Sequence, residues 1–170
     1  MEAEKPRFNW GHINVNVRNL ERSIEFYNKL GFEVFIPGIP YLALHHGAQS
    51  ESLPADAATA LGVAQGTRGR ACIMQLGNGF PKLDLTEFVE LEQANPLDNT
   101  GVGLVRICLA SEDLQRDVDY LMAAGVEFVS TPKTGHKGLA EIAVCKDPDG
   151  TLIELLQVYL DRWQKVLNPS

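Results

Sequence analysis

An internal repeat is the feature of this sequence that most restricts the folds open to it. The stretch GHINVNVRNLERSIEFYNKLGFEVF, which begins at Gly11, aligns without gaps with VRICLASEDLQRDVDYLMAAGVEFV, which begins at Val105. In both stretches, alternating apolar residues predict a strand, and apolar residues at helical spacing then predict a helix. A chain that encodes one such unit twice is expected to fold into two similar halves.

The boundaries of the predicted helices repeat as well. Asn19 and Asp113 stand where helix-capping side chains are expected, and Gly31 and Gly125 stand where the helices should end. The inner stripes of the two helices are predicted from their spacing to be Leu20, Ile24, Tyr27 and Leu30 in the first, and Leu114, Val118 and Leu121 in the second.

The far ends of the two halves also match. The segments NGFPKLDLTEFVE and DPDGTLIELLQVY each join a glycine-containing turn to an apolar strand with one central acid, Asp84 or Glu154. A further strand is expected before each turn, over 71–76 and 142–145. Each half therefore predicts the element order β-α-β-β-β, which belongs to the α+β class.

These patterns predict one domain over residues 1–170. Its parts are a first βαβββ module over 8–91, a second over 101–160 and a C-terminal tail over 161–170, which is expected to add a helical turn or two. An insertion near 47–66 lengthens the first module. Within it, Ala55–Leu61 is predicted to form a short helix that ends at Gly62.

Composition and charge exclude several classes of partner. The chain has 22 acidic and 15 basic residues and a net charge of −7, which argues against nucleic acid as a partner. No apolar run is long enough to span a bilayer and the N-terminal residues lack a signal peptide's apolar core, so no membrane partner and a cytoplasmic location are expected. The three cysteines, Cys72, Cys108 and Cys145, lie in apolar runs and are predicted to be reduced and buried.

Four polar residues interrupt the predicted strands at equivalent positions of the repeat. His12 corresponds to Arg106, and Asp84 corresponds to Glu154. Duplicated units usually pack about a pseudo-twofold axis, which would bring all four side chains towards one place. Because an unpaired buried polar group costs about 1–3 kcal/mol, their presence in apolar strands indicates a functional site.

The first repeated stretch and the segment DPDGTLIELLQ resemble the vicinal oxygen chelate superfamily. This superfamily includes glyoxalase I, methylmalonyl-CoA epimerase, extradiol dioxygenases, and fosfomycin and bleomycin resistance proteins. The resemblance covers nearly the whole chain and implies paired βαβββ modules whose curled mixed sheets form a cup around the active site. It also implies a homodimer, in which the cup forms either within one chain or between two chains. The family's metal ligands correspond to the positions of His12, Asp84, Arg106 and Glu154.

Two of these positions depart from the family pattern. Metal-binding members usually carry histidine where this chain has Arg106, and Glu, Gln or His where it has Asp84. Arginine stays cationic and cannot ligate a metal, so a 2-His-1-carboxylate iron site cannot form from these four residues. We favour a metal-free site in which Arg106 neutralises the two acids. The alternative is a divalent ion (Fe, Mn, Zn, Ni or Co) held by His12, Asp84 and Glu154.

The resemblance implies an enzyme that acts on a small oxygenated molecule at a carbonyl or enolate, by isomerase, lyase, cyclase or oxygenase-type chemistry. Its expected catalytic residues are Arg106, which would polarise the substrate oxygen, and His12 or Glu154, which would move the proton as general base. The rival hypotheses are a metal-dependent enzyme and a non-catalytic small-molecule-binding or resistance protein of the bleomycin-resistance type. Residues predicted to contact substrate, from strand parity or from the loop at 131–141, are Asn14, Asn16, Asp84, Thr86, Phe88, Cys108 and His136.

Overall fold

The fold is known from a computed structural model that describes residues 6–90 and 95–167. The predicted module end at residue 91 and tail residues 168–170 lie outside this part of the chain. Two compact units are present, Met1–Glu92 and Gln93–Ser170. No helix in the described ranges has the length and apolarity needed to cross a bilayer.

The first unit is built around a mixed sheet and contains two α-helices. In order, its elements are β1 (His12–Asn16), α1 (Leu20–Lys29), β2 (Phe32–Ile36), β3 (Gly38–Ile39), a 3₁₀ turn (Pro40–Leu42), β4 (Leu44–His45), β5 (Glu51–Ser52), α2 (Ala55–Leu61), β6 (Arg68–Leu76) and β7 (Lys82–Phe88). The main sheet has the order β1-β7-β6-β2, with β5 added beside β6. Strands β1 and β7 are parallel, and the other pairs are antiparallel.

The second unit repeats the main sheet and helix of the first, without counterparts of β3–β5 and α2, and ends with a further helix. It contains β8 (Arg106–Ala110), α3 (Leu114–Ala123), β9 (Phe128–Thr134), a 3₁₀ turn (His136–Gly138), β10 (Ala140–Lys146), β11 (Leu152–Val158) and α4 (Leu160–Leu167). The sheet order is β8-β11-β10-β9, and β8 runs parallel to β11. The predicted α+β class with mixed sheets is therefore confirmed.

Both main helices begin and end as their sequences indicate. Asn19 accepts a hydrogen bond from the backbone N–H of Arg22 at 2.8 Å, and Asp113 accepts one from Arg116 at 3.1 Å. Gly31 and Gly125 follow the helices with φ angles of 90° and 80°, which side chains disfavour. The predicted apolar stripes are buried, except that Leu30 is only half-buried.

The first unit has additional elements between β2 and β6 that cover part of one sheet face. We call residues 38–61 the inserted segment, which begins earlier in the chain than the insertion expected near 47–66. Its buried apolar residues form a cluster with Ala71 of β6: Ile39, Leu42, Leu44, Leu53 and Ala58. Ala71 is opposite Thr86 in the sheet, so the cluster lies on the face that also carries Asp84 and Thr86. The predicted short helix Ala55–Leu61, ended by Gly62 at a φ of 69°, is confirmed within this segment.

The prediction of three buried cysteines is wrong at one position. Cys72 and Cys145 are buried, but Cys108 is exposed. The two buried thiols lie on central strands, β6 and β10, whereas Cys108 lies on β8 at the edge of its sheet. An apolar run fixes the direction of alternate side chains but does not determine which sheet face is covered.

Candidate active-site residues

In the first unit, His12 and Asp84 lie together on neighbouring strands. Asp84 pairs in register with Asn14, and His12 precedes Asn14 by two residues, so these side chains share a sheet face. The Nε2 atom of His12 is 3.6 Å from Oδ2 of Asp84, slightly beyond hydrogen-bond distance. The Asp84 side chain is 1% exposed and the His12 side chain is 45% exposed, so the pair joins a buried carboxyl group to an accessible imidazole.

Tyr41, in the 3₁₀ turn of the inserted segment, is a neighbour of this pair that the sequence patterns did not reveal. Its hydroxyl donates a hydrogen bond of 3.4 Å to the same Oδ2 atom of Asp84. The other carboxyl oxygen, Oδ1, is buried and has no hydrogen-bond partner among the described residues. Tyr41 is 43 positions from Asp84 in the sequence, and the insertion has no counterpart in the second half, so neither periodicity nor the repeat could have indicated the contact.

Burial and hydrogen bonding shift the pKa of Asp84 in opposite directions. Removal from water raises the pKa of this carboxyl group, while the nearby His12 and the Tyr41 hydroxyl partly offset the increase. Burial, together with the charge of Asp84, also raises the pKa of Tyr41. The phenol therefore keeps its proton and remains a hydrogen-bond donor at neutral pH.

Asn14, Asn16 and Thr86 form a short hydrogen-bonded row beside this pair. The Thr86 hydroxyl donates to Oδ1 of Asn14 at 2.9 Å, and Nδ2 of Asn14 donates to Oδ1 of Asn16 at the same distance. Thr86 is buried, whereas both asparagines are exposed. These three predicted substrate-contacting residues are thus close together, and the two amides are accessible to a small molecule.

Lys82 lies at the start of β7, opposite His12 in the sheet register. Its ammonium group lies 4.6 Å from the ring centre of Phe35 and 4.8 Å from that of Phe80, and it donates to Gln75 at 2.9 Å. Cation–π contacts and a hydrogen bond compensate for the burial of this charge. Lys82 was not among the predicted site residues.

In the second unit, Arg106 and Glu154 form an ion pair at the equivalent strand positions. The Nε atom of Arg106 donates to Oε2 of Glu154, and Nη1 donates to Oδ1 of Asn99 at 3.1 Å. The side chains of Arg106 and Glu154 are 40% and 15% exposed. The guanidinium is therefore held by two partners while remaining accessible, and Asn99 is a second contact that the sequence patterns did not reveal.

Three other predicted contact residues lie outside these pairs. Cys108 is opposite Glu154 in the sheet, and partial removal of its sulfur from water together with the carboxylate raises the pKa of its thiol, which disfavours a nucleophilic thiolate. Phe88 packs against the apolar cluster of the inserted segment. His136 is exposed in the 3₁₀ turn between β9 and β10.

Within each described unit, the side chains at the family's ligand positions form a pair rather than a cluster of three. Across residues 6–90 and 95–167, no group of three or more His, Cys, Asp or Glu side chains is placed to hold a metal ion. Each unit contributes one contacting pair at the family's ligand positions, and in the second unit one member is an arginine engaged with the acid. Such a donor set suits charge-assisted binding of a ligand better than ligation of a cation. Whether both pairs meet at one site remains a prediction.

Comparisons with solved structures show a shared fold. A glyoxalase family protein from Bacillus cereus is 15% identical, with 93% of this chain and 99% of that chain covered at a TM-score of 0.70. The trypanothione-dependent glyoxalase I of Leishmania major is 21% identical, with 95% and 94% covered at a TM-score of 0.57. A glyoxalase I variant from Zea mays is 19% identical, with 85% and 43% covered at 0.57.

A search of curated proteins found no significant sequence match. A sequence profile of the Glyoxalase/Bleomycin resistance protein/Dioxygenase superfamily matches residues 9–155, which include both repeated halves and all four polar strand positions. The chain therefore belongs to this superfamily.

Proposed function

We propose that this protein is an enzyme that transfers a proton on a small oxygenated organic substrate, at the carbon next to a carbonyl group, with an enolate as the intermediate. The observation that carries the proposal is the His12–Asp84 pair, in which an accessible imidazole is backed by a buried carboxyl group. Histidine changes protonation state close to neutral pH and is the side chain that most often serves as a general base. Reactions of this kind include isomerisations and lyase steps.

In this proposal, His12 removes a proton from the substrate and Asp84 stabilises the resulting imidazolium. Arg106 donates to the substrate oxygen, where negative charge develops as the proton leaves. The proposal therefore requires, as the repeat predicts, that the Arg106–Glu154 and His12–Asp84 pairs act on one substrate.

The proposed role of Glu154 differs from the general-base role that the sequence suggested as one possibility. Its carboxylate is engaged in an ion pair with Arg106, whereas the imidazole of His12 is accessible. We therefore assign Glu154 the task of orienting the guanidinium, together with Asn99.

A second candidate function is binding without chemistry, as in proteins of the bleomycin-resistance type. The observation that favours it is that Asp84 and Glu154 both have a basic or donor partner within the protein, so neither acid is an unengaged base. A binding protein needs such fixed polar contacts but no accessible proton acceptor. The exposed imidazole of His12 is what favours the enzyme.

The proposal is tested by proton exchange. The purified protein is incubated in D₂O with a panel of α-hydroxyketones, 2-oxo acids and β-keto acids, and ¹H NMR follows the loss of the proton beside the carbonyl. We expect exchange with at least one compound, and His12→Gln should reduce its rate by roughly 10²–10⁴-fold because the base is lost. His45→Gln is the matched control, since His45 is exposed and pairs with Glu51.

Further measurements separate the alternatives. Saturable binding of a panel compound without exchange would support the binding protein, and exchange that survives in H12Q would refute the assigned base.

Elemental analysis of the purified protein tests the metal-dependent alternative, because a stoichiometric divalent ion would contradict the metal-free site. A gain of tight metal binding in Arg106→His, without loss of activity, would count against the role of arginine. Light scattering tests the expected homodimer.

A further inference from the structure

The inserted segment holds Tyr41 between two buried anchors. Ile39 and Leu42, on either side of it in the chain, are buried in the apolar cluster, while the Tyr41 side chain is 60% exposed. Gly38 allows β3 and β4 to approach closely, because a Cβ at this position would lie 2.6 Å from the carbonyl oxygen of Leu44. The turn that carries Tyr41 is therefore fixed by packing below it, although its ring reaches towards solvent.

The Tyr41 hydroxyl and the His12 ring converge on one oxygen atom of Asp84. Oδ2 is 3.4 Å from the hydroxyl and 3.6 Å from Nε2 of His12. Because Oδ1 has no partner in the described part of the chain, Tyr41 makes the hydrogen bond that holds the orientation of this carboxyl group. The terminal torsion of aspartate has no sharp intrinsic preference, so a hydrogen bond can decide which oxygen faces the imidazole.

We propose that Tyr41 is a positioning residue for proton transfer, whose hydroxyl holds the Asp84 carboxyl group so that Oδ2 faces Nε2 of His12. This inference rests on the proposed function. A carboxylate that faces Nε2 favours the imidazole tautomer with its proton on that nitrogen, which leaves the Nδ1 lone pair as the base.

The proton balance of this step is closed. The substrate C–H bond breaks, its electron pair moves into the enolate, and the proton binds to Nδ1 of His12. The proton then returns from Nδ1 to the enolate, at the same carbon or a neighbouring atom, and the imidazole becomes neutral again. No oxidant, reductant or co-reactant is required.

The test compares Tyr41→Phe with wild type by kinetics and by crystallography. We expect kcat for proton exchange to fall on the order of tenfold with KM almost unchanged, because the lost hydrogen bond orients the base and does not bind substrate. In the crystal structure of substrate-free Y41F, the Asp84 carboxyl group should rotate so that Oδ2 no longer faces His12. Since the Tyr41 ring is largely exposed and is kept in the variant, Y41F should retain the wild-type fold, which circular dichroism checks.

Tyr159→Phe is the matched control, because it removes a 2.9 Å tyrosine–carboxylate hydrogen bond, to Glu141, in the second unit. This variant should keep wild-type kcat. Equal kcat values for Y41F and wild type, or an unmoved Asp84 carboxyl group in Y41F, would overturn the inference. If wild type exchanges no proton on any panel compound, the proposed function fails, and the crystal structure still decides whether Tyr41 orients Asp84.

Discussion

The two units share one strand register but carry different chemistry at equivalent positions. In the first, an imidazole lies beside a fully buried carboxyl group that also accepts a hydrogen bond from Tyr41. In the second, a guanidinium forms an ion pair with a less buried carboxylate and a hydrogen bond with Asn99. The first pair contains an imidazole, a side chain type that can accept and return a proton, whereas the second contains a guanidinium, which stays cationic.

The comparison shows that a repeated backbone plan can hold two different kinds of polar pair. The backbone plan of each unit, a first strand parallel to a last strand, brings one side chain from each into contact. Substitution then alters the chemistry of one contact without changing the geometry that produces it. Substitutions in either pair, or in the contacts that support it, test how independent the two pairs are.

The largest expected effect concerns how each unit secures the start of its main helix. Glu87 accepts a hydrogen bond from the backbone N–H of Leu20 and also binds Arg70, whereas Gln157, at the equivalent position, accepts from the N–H of Leu114. We expect Glu87→Ala to lower the free energy of unfolding by about 2–3 kcal/mol and Gln157→Ala by about 1 kcal/mol. Urea unfolding monitored by circular dichroism measures both, and equal losses would show that the Arg70 ion pair adds nothing.

Replacement of the fixed cation should have the next largest effect. A lysine at position 106 keeps the positive charge but cannot donate to Glu154 and Asn99 and also present a planar group to the substrate. We expect Arg106→Lys to lower kcat/KM for proton exchange roughly tenfold. Arg116→Lys, at an exposed site on α3, should keep the wild-type value. If R106K kept the wild-type kcat/KM, the positive charge at position 106 would be sufficient and the planar guanidinium would not be needed.

Neutralising the two acids should change stability in opposite directions. Burial raises the pKa of Asp84, so its carboxylate destabilises the folded state above that pKa. At pH 8 we therefore expect Asp84→Asn to raise the free energy of unfolding by about 1 kcal/mol. Glu154→Gln should lower the free energy of unfolding by about 1 kcal/mol, because the ion pair with Arg106 is lost.

The difference in unfolding free energy between D84N and wild type should change with pH in one direction. The contribution of Asp84 to stability is fully present below its unfolded-state pKa and is lost as pH rises through the raised folded-state pKa. The advantage of D84N over wild type should therefore be largest at alkaline pH and should shrink on acidification. Chemical unfolding of both proteins over a series of pH values measures this difference, and an advantage that grows on acidification would contradict the burial argument.

The smallest expected effect is at Cys108. Its thiol lies beside Glu154, and partial removal from water and the carboxylate keep its pKa above the ordinary value. We therefore expect Cys108→Ser to change kcat by less than about twofold, because a protonated thiol is a poor nucleophile. Steady-state proton-exchange kinetics measure this, and a large loss of activity would require a direct role for the thiol.

Much of the fold followed from local signals. The caps at Asn19 and Asp113 and the apolar stripes of α1 and α3 depend on residues within one or two helical turns, so the sequence carries them directly. The contacts of Glu87 and Gln157 with the helix starts could also have been anticipated. Each follows the central acid of its strand by three positions, which the repeat makes visible.

Other features depended on contacts between distant segments. Nothing local distinguishes Tyr41 from any other tyrosine in a loop, and it approaches Asp84 only because the inserted segment packs on the sheet. The exposure of Cys108 likewise depends on its position at a sheet edge, which an apolar run does not specify. Asn99 belongs to an irregular stretch before β8 whose course follows no periodic pattern.

The sequence alone determined that this protein is a duplicated α+β chain with four polar residues at equivalent strand positions, because helix and strand periods are encoded by neighbouring residues. The tertiary structure decided that His12 has Asp84 as its partner, that Arg106 is held by Glu154 and Asn99, and that Tyr41 reaches the buried carboxyl group. These contacts depend on strand register and on the packing of an insertion. Both bring together residues that are far apart in the chain, and local sequence patterns do not predict such contacts.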